Sequence, residues 1–158
     1  MAGRSNHVGF WTFILVLVIL HFGAHVAFGM RGAAPDLLTI AVLLGVRRLS
    51  GAGGAGFGLA LGLLNDAMSL NSFGALGVTY AILGFAGARS RDLFEGDSLL
   101  FVGAYIFLGK LLRDVIYQAL TRAAPWSDLW SASLLAALYA AVAAIVALTL
   151  YRAATSDR

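Results

Sequence analysis

Apolar residues gather in six stretches along the chain, with short polar or glycine-bearing breaks between them. The first, Val8 to Phe28, has the length of a membrane-crossing helix, which takes about 20 apolar residues. The second, Pro35 to Val46, is short. Pro35 suits the first helical position, and Asp36 suits the positive end of the helix dipole. At about 1.5 Å per residue this segment barely reaches across the hydrocarbon, either as a short span or as a re-entrant helix. The third runs from Gly51 to Leu70, the fourth from Phe73 to Gly87, the fifth from Asp97 to Ala119 and the sixth from Trp130 to Tyr151. Short linkers make sequence neighbours antiparallel hairpins. The pattern predicts an all-α fold: one polytopic membrane domain, residues 1–158, built as a six-helix bundle.

Composition points the same way. Of 158 residues, 60% are hydrophobic and only 12% are charged, where a soluble domain carries about 25%. Mean hydropathy is +0.86. There is no cysteine, which excludes disulfides and thiolate metal sites. Met1 to His7 is basic and leads into apolar sequence with no small-residue cleavage site, so the first helix is read as uncleaved. The net charge of +3 forms no basic stripe, which argues against nucleic acid as a partner.

With six crossings, Arg4, Arg47, Arg48, Arg89, Arg91, Arg152 and Arg158 fall on one side, and Arg31 and Arg122 on the other. The excess of Lys and Arg marks the cytoplasmic side, so both termini are expected there. Trp11 and Tyr151 then sit near the inner interface, and Trp126 and Trp130 near the outer one.

Lys110, Arg113 and Asp114 interrupt the fifth apolar stretch. Each costs about 2.5–3.5 kcal/mol at the centre of a membrane helix unless it faces a protein interior and pairs. Asp66, His21 and His25 lie at comparable depth, so one intramembrane polar cluster is expected: Asp66, Lys110, Arg113, Asp114, His21 and His25. Asp66 with Arg113 is the preferred pair, because a guanidinium fork suits a carboxylate. Lys110 and Asp114 are also neighbours four residues apart on one helix. Such a cluster fixes helix register, carries protons or ions, or holds a polar ligand or lipid headgroup. Gly51, Gly54, Gly58 and Gly62 share one face of the third helix, which Asp66 and Ser69 extend. Small residues at this spacing admit another backbone, either within the chain or from a partner. No phosphate loop, nucleophile elbow, His-Glu-x-x-His pattern or paired catalytic carboxylate is present. The expectation is a protein without enzymatic activity, metal or cofactor.

Pro35-Asp36-Leu37 opening the second helix, Gly62-x-x-x-Asp66-x-x-Ser69 ending the third and Gly74 opening the fourth resemble the pattern of the rod shape-determining protein MreD family. The likeness covers Arg31 to Arg91. It does not include the Lys110, Arg113 and Asp114 cluster. It implies a six-helix protein of the bacterial inner membrane that acts as a scaffold. Such a protein binds MreC, a single-pass protein, and supports peptidoglycan synthesis with the RodA glycosyltransferase, a class B penicillin-binding protein and MreB filaments. It also implies a fold similar to the substrate-binding subunits of energy-coupling-factor vitamin transporters. The alternative function is therefore a small-solute binding subunit of a transporter.

Overall fold

A computed structural model describes residues 2–28, 36–68, 74–90, 98–122 and 125–156. Among the described residues it is all-helical, with six helices and no strand. They are α1 (Ala2–Phe28), α2 (Leu37–Val46), α3 (Gly51–Met68), α4 (Ala75–Ser90), α5 (Leu99–Thr121) and α6 (Trp126–Ser156). Two of them, over His7–Ala24 and Trp130–Thr155, are long and apolar enough to cross a membrane. Pro35, Arg31, Ser69, Asn71, Ser72, Phe73, Arg91, Asp97, Ala124, Arg158 and the side chains of Arg4 and His25 lie outside the described residues.

The helix starts follow local chemistry. Asp36 is the N-cap of α2, its carboxylate accepting from the Thr39 amide at 3.0 Å. The helix thus begins at Leu37, two residues beyond the position expected for Pro35. Ser98 caps α5 in the same way, accepting from the Phe101 amide at 3.2 Å. A cap oxygen takes up one of the amide donors that the first helical turn leaves without a partner. Arg122 closes α5 in the left-handed conformation, with φ 49°.

Helix α2 is the hub. It touches all five other helices, and Leu38 to Val46 are all buried. Ten residues span about 15 Å, half a hydrocarbon thickness. That length is no liability for a helix wrapped by protein on every side. It also explains why the segment is apolar all round rather than on one stripe.

The glycine stripe of α3 faces α4. A Cβ on Gly54 would meet the Gly84 carbonyl oxygen at 2.5 Å, and one on Gly62 would meet that of Leu76 at 2.5 Å. One on Gly58 would lie 2.0 Å from the Tyr80 oxygen. Gly84 makes the reciprocal approach to Gly54. The stripe is therefore internal packing between two backbones, and the alternative use of Gly54, Gly58 and Gly62 by a partner helix is corrected. Gly51, at the margin, is half-buried against Phe85 and Arg89.

The bundle has two unlike ends. At one, the Arg48 guanidinium lies 3.7 Å from the Phe10 ring centre and Arg47 5.7 Å from that of Phe101. There too Phe13 of α1 and Tyr151 of α6 stack, with centroids 4.8 Å apart. The start of α1 and the end of α6 thus share the basic end. Asp36 at the start of α2, and Asp66 in the last turn of α3 with Gly74 at the start of α4, belong to the other.

Candidate functional site

The polar residues nearest the acidic end form two separate devices. The first is an ion-pair network between α2, α4 and α5. Lys110 donates to both carboxylate oxygens of Asp114, at 2.6 Å each. Arg113 donates to Asp114 Oδ1 at 2.8 Å. The Lys110 ammonium also stands 3.8 Å from Asp36 Oδ2, which ties α5 to the start of α2. Thr39 donates its hydroxyl to Asp36 at 2.7 Å and shares a 2.9 Å hydrogen bond with Tyr80. The Tyr80 hydroxyl reaches Asp36 Oδ1 at 3.5 Å. The Arg113 guanidinium lies over the Tyr80 and Tyr117 rings at 5.5 and 5.3 Å. Two cations and two carboxylates balance, and Lys110 and Asp114 are buried at 6% and 7% exposure. Removing ions from water is repaid only when they are paired and their remaining donors are engaged, and this arrangement meets most of that requirement. One Arg113 nitrogen, Nε, is buried without a hydrogen-bond partner.

The second device is Asp66, 2% exposed. Its Oδ2 accepts from the amides of Gly74 and Gly77, both at 3.0 Å. The last turn of α3 thereby caps the first turn of α4 from outside, and a carboxylate there also meets the positive end of the helix dipole. Gly74 adopts φ +92°, a conformation that costs glycine little and other residues more.

Several expectations are corrected here. Asp66 does not pair with Arg113; it binds helix-start amides, and Arg113 turns to Asp114, its own neighbour. Matched depth is insufficient, because two side chains meet only if they also share an azimuth around their helices. The Lys110–Asp114 pair is present as expected. His21 is buried on α1, edge-on to Phe22 with centroids 5.3 Å apart, and the ion-pair network is assembled without it.

Asp36, Thr39 and Tyr80 were not expected in the cluster. For Asp36 a signal existed: a carboxylate opening an apolar helix with Thr three residues on is a cap pattern, and a buried cap attracts cations. Tyr80 gave none, since an aromatic residue in an apolar helix reads as core. Among the described residues, no group of three or more His, Cys, Asp or Glu is placed to hold a metal ion.

The chain matches no family model, no curated protein and no solved structure.

Proposed function

We propose that this protein is a six-span scaffold of the bacterial cytoplasmic membrane, similar in role to the MreD family, that holds an MreC-like single-pass partner and supports peptidoglycan elongation. One observation carries the reading. Asp36, Gly62, Asp66 and Gly74, on which the resemblance rests, are not scattered. Gly62 brings α3 against α4, Asp66 caps α4 at Gly74 and Gly77, and Asp36 caps the central α2. Together they fix the relative placement of three helices, which is what a rigid frame requires. The RodA glycosyltransferase, a class B penicillin-binding protein and MreB are further components of the same proposed assembly.

In this reading the basic end, with Arg47, Arg48 and the neighbouring ends of α1 and α6, faces the cytoplasm. The partner helix meets the face of α3 that points away from α4. Ala52, Gly56 and Ala60 are exposed there at four-residue spacing, and a Cβ on Gly56 would meet nothing within 4 Å. Helices associate in lipid by close packing, which small residues allow.

Purification from native membranes with identification of the attached protein tests the proposal. Recovery of an MreC-like partner, lost with Gly56→Leu at normal protein level, supports it. A tightly held vitamin-like solute with no such partner replaces it with the transporter-subunit reading.

A further inference from the structure

Helix α6 buries one side only. Ser133, Ala137, Ala140, Ala141 and Ala144 are its buried side. On the opposite side Ala132, Leu135, Tyr139, Val142, Val146 and Thr149 are all exposed. They recur at alternating steps of three and four residues, the heptad spacing of a helix that packs along another helix. Two of the six carry a hydroxyl. That of Thr149 donates to the Ile145 carbonyl of its own helix at 2.7 Å. Tyr139 is 51% exposed, and no described residue of the chain bonds its hydroxyl. Along α6, Tyr139 stands about 14 Å from Trp130 and about 18 Å from Tyr151, the aromatic residues assigned to the two membrane interfaces. It therefore lies near the middle of a hydrocarbon layer about 30 Å thick. Tyrosine in a membrane ordinarily sits at an interface, with its ring apolar and its hydroxyl wet. At this depth lipid offers the hydroxyl no acceptor, and a polar group without one is costly.

We propose that this face of α6 binds the same face of a second copy of the chain, as a parallel two-fold pair of helices with Tyr139 against the partner's Tyr139. The inference rests on the membrane reading above and needs no MreC-like protein. Copies inserted in one direction carry Tyr139 at one depth, and a two-fold axis along the membrane normal brings the two hydroxyls together. A hydroxyl both donates and accepts, so one donates to the other and no further residue type is required. Acyl chains would cover Leu135, Val142 and Val146 equally well but would leave the hydroxyl bare. A single polar residue on a heptad seam also fixes its register, and left-handed crossings near 20° are common between membrane helices.

The test is energy transfer between donor- and acceptor-labelled copies of the purified full chain in vesicles of phosphatidylethanolamine and phosphatidylglycerol, over a range of protein-to-lipid ratios. The wild type is expected to associate reversibly as a dimer. Tyr139→Phe keeps the ring and loses only the hydroxyl, and it is expected to weaken association about three- to tenfold, the range of interhelical hydrogen bonds in lipid. In native membranes under oxidant, Leu135→Cys, Val142→Cys and Val146→Cys are each expected to cross-link to a second copy, and Ile82→Cys, exposed on α4, is expected not to. A wild type that stays monomeric in the vesicles overturns the proposal and leaves the membrane reading standing. Equal association of wild type and Tyr139→Phe also overturns it, as does capture of a different protein in place of a second copy at the three α6 positions. A chain that stays folded and soluble without detergent removes the membrane reading itself, an outcome visible before any vesicle is made.

Discussion

Replacing Gly58 with alanine adds one methyl group where α3 has no room for it. The new carbon would stand 2.0 Å from the Tyr80 carbonyl oxygen and 2.7 Å from its carbon. Those atoms are backbone in the middle of α4, so no rotamer change relieves the overlap, and the helices must part until contact exceeds about 3.4 Å. A gap of roughly 0.5–1 Å already forfeits a quarter to a half of each dispersion contact. The Gly54–Gly84 and Gly62–Leu76 approaches on the same seam would open with it. Overpacking of this kind costs about 1–3 kcal/mol, while alanine's better helix propensity returns about 1 kcal/mol. The net expectation is a loss of up to about 2 kcal/mol. Gly56→Ala is the internal control, because its Cβ meets nothing and only the propensity gain remains. Thermal unfolding in detergent, followed by circular dichroism, should lower the midpoint for Gly58→Ala and leave it unchanged or raised for Gly56→Ala. Equal midpoints for the two variants would refute the close α3–α4 seam.

Asp114→Leu removes the carboxylate that Lys110 and Arg113 share and should destabilise by about 3–5 kcal/mol, whereas the double change with Lys110→Met should recover part of it, Arg113 still lacking its partner; the same melts decide, and an additive double variant would contradict the pairing. Asp66→Ala removes the outside cap of α4 and should cost about 1–2 kcal/mol, with faster hydrogen exchange at Gly74 and Gly77; unchanged exchange there would dismiss the capping role. The chain has no cysteine, so single cysteines report topology cleanly. Asn71→Cys and Ala124→Cys should react with an impermeant reagent on intact cells and Arg48→Cys only after lysis; the reverse pattern would invert the orientation.

What could be read in the sequence was whatever depends on position along one helix. The six apolar segments became six helices, with ends shifted by a few residues where caps such as Asp36 and Ser98 set the boundary. The Lys110–Asp114 pair was legible because four-residue spacing puts two side chains on one face. The Asp66–Arg113 pairing was misread because it needed the azimuth of two different helices, and that is set by which faces pack. Nothing in the α3 sequence says that Gly54, Gly58 and Gly62 face α4 while Ala52, Gly56 and Ala60 face away; the distinction is tertiary. The same holds for Tyr80, whose hydroxyl joins Asp36 and Thr39 only because α2 is surrounded.

The central claim, a scaffold with one exposed small-residue face for a partner helix, is tested most directly by a cysteine cross-linking scan of α3 in native membranes. The account expects Ala52→Cys, Gly56→Cys and Ala60→Cys to capture one and the same single-pass protein, and Leu15→Cys on the exposed face of α1 to capture none of it. Capture from α1 but not from the three α3 positions, or no single-pass protein captured at any of them, would contradict it.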